Sequence, residues 1–231
     1  MVSRIEFEQL LKSGRKPNIG LVEAIPLNVY PHRADFSSNL QELVAVLKNT
    51  AFISRKGYDL IPLTGEDVFP FTLRLYDAWQ KEFLRSGYLQ SLPRDFLPIL
   101  DIAKNWKKNP ESITYRLTHS TQVNTICYLR VLFNQLNNQG ITAWISYGNI
   151  QPNSIRMHHM TNGLALLIHS LHHEVWNCGY RLSSFMTTVS NRNTGSVRVL
   201  ANNGFQIDPT RKITPSPIAL GGQSYPVRLD L

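Results

Sequence analysis

The sequence predicts an α+β fold: a mostly antiparallel sheet flanked by helices, with one parallel pair of strands. Three observations carry this. The 231 residues are 42% hydrophobic and only 17% charged, the balance of a globular chain that buries a sizeable core. Three β-branched and aromatic runs cluster mid-chain: ITYRLTHS at 113–120, VNTICYLRVLF at 123–133 and ITAWISY at 141–147. An apolar helix at Leu164–Trp176 then separates the last of these runs from a further strand. A helical crossover is the usual way to join two parallel neighbours.

Taken in order, residues 1–56 read as an N-terminal extension, and residues 57–231 as the main domain. A short helix fits Ile5–Leu11, followed by a loop punctuated by Pro17, Pro26 and Pro31. A second helix, SSNLQELVAVLKNT, starts with a serine cap at Ser37 or Ser38. Tyr58–Leu63 is short and apolar, so it reads as a strand. Thr64 and Asp67 form the capping pattern [ST]-x-x-[DE] for a helix carrying Phe71, Leu75, Ala78 and Trp79, with Pro70 in its first turn. Another helix is expected between Pro93 and Lys107.

The run at 123–133 supports two readings. As a strand it places Val123, Thr125, Cys127, Leu129, Val131 and Phe133 on one face. As a helix it gives a stripe through Ile126, Leu129, Leu132, Phe133 and Leu136. NNQG at 137–140 is a turn signal, and Ile141–Tyr147 reads as the next antiparallel strand. The Leu164–Trp176 helix ends at Gly179. A strand over Tyr180–Ser190, a short helix, a Phe205–Ile207 strand and a last strand at Tyr225–Leu231 complete the order.

The formal charge is +8, unevenly spread. Beyond residue 120 the acids are Glu174, Asp208 and Asp230, against eight Lys and Arg. A basic C-terminal half invites a polyanionic partner, either nucleic acid or a phosphorylated cofactor. Cys127 and Cys178 are far apart and suggest a reducing compartment with no disulfide framework. The N-terminus lacks a signal-peptide apolar core, and no apolar run approaches a bilayer-spanning length. A cytoplasmic location without membrane association is expected.

The stretch TTVSNRNTGSVRVLANNGF at 187–205 carries the most chemistry. Asn193 stands at the mouth of the short helix, placed to cap it or to hydrogen-bond an amide-bearing ligand. Ser196 lies about one turn in. Arg192 and Arg198 flank the site as phosphate donors. Gly204 allows the left-handed turn that stops the helix before Phe205.

That pattern, N-x-x-S-x-x-V-L-x-x-x-G-F over Asn193, Ser196, Val199, Leu200, Gly204 and Phe205, resembles the GNAT superfamily of acyl-CoA N-acyltransferases. DLIPLTGED near residue 60, and Tyr147 followed by Ile150-Gln151-Pro152, resemble it too. The likeness covers about residues 57–208 and is greatest to the group that acetylates N-termini of ribosomal proteins. It implies acetyl-CoA as co-substrate and an amine of a peptide, protein or small molecule as acceptor. The amine would attack the thioester within a ternary complex. A backbone N–H near the end of the Ile141–Tyr147 strand would hold the oxyanion. A tyrosine in the late helix is the usual acid for the leaving thiolate, but Leu200 holds that position here. Ser196 is the replacement expected, with Tyr147 second.

The family's pyrophosphate motif, [RQ]-x-x-G-x-[GA], is degenerate in PNSIRMHHMTNGLALL. One register sets Met160, Gly163 and Ala165 on it; another uses Arg156 to His159. The cofactor contacts implied are Ile150, His158, His159, Asn162, Gly163, Ala165, Asn193 and Arg198. No base is evident, since AWISY carries no glutamate. Five of the seven histidines fall between His158 and His173. His169 and His173 share a helix face, but H-E-x-x-H is absent and no metal is expected. The alternative function is a catalytically degenerate GNAT-like module that binds RNA, a ribosomal surface or another partner through its basic half.

Overall fold

A computed structural model describes residues 4–12, 19–27, 40–63, 111–136, 140–149, 158–216 and 222–231. The helices expected after Thr64 and Pro93 lie outside these residues, as do Ile150, Gln151, Pro152 and Arg156.

Two helices and two strands precede residue 56: α1 (Arg4–Lys12), β1 (Val22–Pro26), α2 (Leu40–Lys48) and β2 (Thr50–Ser54). The chain continues through β3 (Tyr58–Pro62), β4 (Ser112–His119), β5 (Gln122–Leu136) and β6 (Gly140–Asn149). Then come α3 (His159–Asn177), β7 (Leu182–Ser190), α4 (Thr194–Asn202), β8 (Gln206–Ile207), β9 (Thr214–Pro215) and β10 (Gln223–Asp230). The fold class is the α+β arrangement expected.

One sheet of ten strands runs in the order β1-β2-β3-β4-β5-β6-β7-β10-β8, with β9 paired to β10. Neighbours are antiparallel except β6 and β7, which are parallel across the α3 crossover. The ambiguous run resolves as strand. β5 is paired with β4 on one side and β6 on the other, and ten residue pairs join it to β6. Those ladders use backbone groups that a helix would have closed on itself.

Period-2 alternation divides the sheet's two faces. Tyr115, Leu117, Leu129, Val131, Ala143 and Phe185 lie on one and are fully buried. α3 lays Leu164, Leu167, Leu171 and Val175 on this core, residues spaced at i, i+3, i+7 and i+11. α2 buries Leu40, Leu43, Val44 and Leu47 in the same way. Phe7 of α1 stacks on Tyr225 of β10 with ring centroids 4.5 Å apart.

Two differences from the sequence reading have clear causes. No strand is expected before Tyr58, yet β1 and β2 extend the sheet. β2 pairs with β3 around a tight turn at Arg55–Gly57, so residue 56 falls inside a hairpin. α3 begins at His159 rather than Leu164. Its first turn, HMTN, shows no apolar period and is fixed by tertiary contacts of His159 and Asn162.

Candidate functional site

The sheet opens between β6 and β7. Their ladder runs from Ile141 opposite Leu182 to Trp144 opposite Met186 and then stops. Beyond it, β6 continues to Asn149 paired with β5, while β7 continues to Ser190 paired with β10. The facing edges from Ile145 and Thr187 onward therefore diverge, leaving main-chain donors and acceptors for a ligand. The N-termini of α3 and α4 belong to the connections that leave these two strands.

α4 is a capped helix. The Asn193 side-chain Oδ1 accepts from the Ser196 backbone N–H at 3.0 Å. This cap occupies Oδ1 and leaves the side-chain NH₂ as a donor. The first-turn N–H groups of Thr194 and Gly195 have no helical acceptor, and the helix dipole favours an anion beside them. Ser196 is half-buried and Arg198 is exposed. The Tyr147 hydroxyl donates to the Ser196 carbonyl at 3.2 Å, so the two candidate acids meet at one place. Burial pushes the Tyr147 phenol up, against a smaller lowering from its Ser196 hydrogen bond, and keeps it protonated. Leu200 is buried in the core, which explains an apolar residue at that position. Gly204, at φ 82°, ends the helix, and Phe205 turns fully inward.

At the start of α3, His158 adopts φ 57° and is exposed. His159, in contrast, is buried. Its Nδ1 lies 3.0 Å from the Tyr58 hydroxyl, which also accepts from Asn162 Nδ2 at 2.9 Å. The Tyr58 hydroxyl thus bridges His159 and Asn162 across the first turn of α3. The His119 ring stands 4.4 Å from the Tyr58 ring and 5.2 Å from the His159 ring. Its Nε2 faces the Lys56 carbonyl, and Nδ1 accepts from the Thr121 backbone N–H. Burial, then the nearby His119, lowers the His159 pKa. The helix therefore opens on a neutral imidazole held by the protein, with His158 as the exposed one.

Gly163 lies inside α3, one turn past its start. A Cβ there would come within 2.4 Å of Leu117 Cδ2, so this glycine admits the helix to the sheet. Ala165 follows it, half-buried. The Asn162 N–H bonds the His158 carbonyl, so the first-turn N–H groups without a helical acceptor include those of Met160 and Thr161.

Downstream of α4, Asp208 anchors a loop over β6. Its Oδ1 accepts from the Thr210 N–H at 2.9 Å and from its hydroxyl at 2.6 Å. Burial alone would raise its pKa; these bonds and Arg211 outweigh it and hold the carboxyl low. Arg211 in turn sits over the Trp144 ring at 4.7 Å. His169, His172 and His173 are exposed, and no group of three or more potential metal ligands gathers among the described residues. Cys127 and Cys178 are buried free thiols, and burial pushes Cys178 up to about 11. Sequence reasoning missed Tyr58 and His119, which lie about 100 and 40 residues from His159 along the chain, because no local spacing links them.

The parted parallel strands, with a helix N-terminus following each, define the fold of the GNAT acetyltransferases. No family model and no curated protein matches the chain at the sequence level. Solved structures do. RimJ of Mycobacterium smegmatis, in complex with CoA-disulfide, superposes with a TM-score of 0.53 at 14% identity, over 75% of this chain and 81% of its own. A GNAT-family acetyltransferase of Bacillus anthracis gives 0.52 at 13% identity, over 77% and 97%. RimL, the ribosomal L7/L12 alpha-N-protein acetyltransferase, gives 0.53 at 12% identity, over 94% and 100%. Identities this low establish the shared fold. No described helix is long and apolar enough to cross a membrane.

Proposed function

We propose that this chain is an acetyl-CoA-dependent N-acetyltransferase acting on an amine of a peptide, protein or small molecule. One observation carries the reading: β6 and β7 part between two helix N-termini, next to a protonated phenol and a serine. The fold neighbours support it, since one is a CoA complex and another acetylates a protein α-amine. The residues present fit the co-substrate. First-turn N–H groups of α3 at Met160 and Thr161, together with the exposed His158, would receive its phosphates. Asn193 and Arg198 would border it from α4.

In this reading the acceptor nitrogen forms a bond to the thioester carbonyl carbon. The resulting oxyanion is held by backbone N–H groups on the unpaired edge of β6. The C–S bond then breaks and the sulfur takes a proton from Ser196, with Tyr147 as the second donor. The proton lost by the amine leaves through water, because no described carboxylate faces the parting from β6.

Acetyl-CoA at ~1 mM should raise the melting temperature, since it binds only the folded chain. Ser196→Ala should lower kcat roughly 100-fold, the size of a general-acid contribution, while leaving acetyl-CoA affinity intact. Unchanged turnover in Ser196→Ala, together with a loss in Tyr147→Phe, would reverse their order. No shift with acetyl-CoA, beside RNA affinity that falls steeply with salt, would replace this reading with the binding module.

A further inference from the structure

The sheet face opposite α3 and α4 carries a cluster that the transfer chemistry leaves unused. Seven buried side-chain polar atoms among the described residues have no hydrogen-bond partner, and five of them lie on this face: Thr114 Oγ1, Arg116 Nε, Arg130 Nε, Thr142 Oγ1 and Ser184 Oγ. The ladders show how they gather. Thr114 stands directly opposite Arg130, and Arg116 opposite Tyr128, so the arginines are diagonal neighbours on adjacent strands. Such positions lie roughly 7–8 Å apart, within reach of one shared ligand for two long side chains. On its other side Arg130 faces Ser146, which is exposed and lies just past the point where β6 leaves β7.

No salt bridge among the described residues reaches either arginine. Burial lowers the pKa of the half-buried Arg130, against a smaller raising by Tyr128. Native structures leave few buried polar atoms unsatisfied, and a group of them on one face points to a ligand that completes it. Two guanidinium forks beside a hydroxyl match the acceptor atoms of an oxyanion. A polycationic acceptor would instead meet two uncompensated positive charges.

We propose that Arg116, Arg130 and Thr114 form an oxyanion subsite on the acceptor side of the β6–β7 parting. It selects amines whose carrier bears a carboxylate or phosphate close by. As an acceptor subsite this rests on the transferase reading, but anion binding there can be measured without turnover.

The test uses three tetrapeptides with a free N-terminus, identical except that the second residue is Asp, phosphoserine or Asn. Each is added to the full chain with acetyl-CoA, and both melting temperature and initial rate are recorded. The Asp or phosphoserine peptide should raise the melting temperature and show at least tenfold higher kcat/KM than the Asn peptide. The larger effect identifies carboxylate or phosphate as the preferred group. Arg116→Gln and Arg130→Gln should each lose at least fivefold of that preference through KM. Their acetyl-CoA shift should be unchanged and their melting temperature no lower than the parent's, because an uncompensated charge is removed. Equal response to all three peptides would overturn the proposal. So would a preference that survives in both variants. If acetyl-CoA gives no shift, the transferase reading fails, and the subsite then stands or falls on the peptide shifts alone.

Discussion

Asn193 shows how one side chain serves two levels of the structure. Its Oδ1 closes the first turn of α4 on the Ser196 N–H, and that turn carries the carbonyl to which Tyr147 donates. Asn193→Ala should cost about 1 kcal/mol of stability by chemical denaturation, the usual value of an N-cap, while Asn193→Ser or Asn193→Asp should lose much less. His159 makes a pH-dependent contribution. Burial and His119 set its folded pKa below the ordinary 6.5, so the unfolded chain binds the proton more readily. Its share of stability is complete above pH 6.5 and is lost as pH falls below that value toward the folded pKa. Thermal melts from pH 8 to 5 should show the decline beginning near 6.5, and His159→Gln should flatten that part of the profile.

Helix α3 meets the sheet through a contact that requires the absence of a side chain. Gly163 sits on Leu117, which is itself fully buried. Gly163→Ala gains about 1 kcal/mol of helix propensity but overpacks the contact, at about 1–3 kcal/mol. Net destabilisation should follow. Adding Leu117→Val should recover part of it, a coupling that a double-mutant cycle would measure. Additive effects would show that Gly163 and Leu117 do not press on one another. The same contact sets the height of the α3 N-terminus above β4, and hence where its first-turn N–H groups point.

The sequence reads residues 1–56 as an extension, and a truncation tests that boundary. Residues 50–54 hydrogen-bond to β3, α2 places four side chains in the common core, and Phe7 stacks on Tyr225 at the far end of the sheet. Removing residues 2–56 would strip this face of the core and leave β3 an unpaired edge. We expect the shortened chain to be insoluble or to melt without cooperativity. A cooperative transition near the parent's temperature would show that residues 57–231 fold alone.

Local pattern by itself determined most of the element order. The apolar stripe of Leu164–Val175 and the Asn193-to-Gly204 bracket of α4 each lie within one short window, where side-chain period and cap chemistry act, whereas the run at 123–133 fits both periods and is decided by its ladders to β4 and β6. The tertiary structure decided what those windows cannot hold. β1 and β2 exist because β3 offers them an edge. α3 starts at His159 because Tyr58, about 100 residues earlier in the chain, accepts its first turn. Arg116 and Arg130 read along the chain as two ordinary basic residues in strands; only the β4–β5 register brings them together. Helix periods and caps are short-range physics, but a site is made where strands distant in sequence are laid side by side. That placement follows from which surfaces can be buried together.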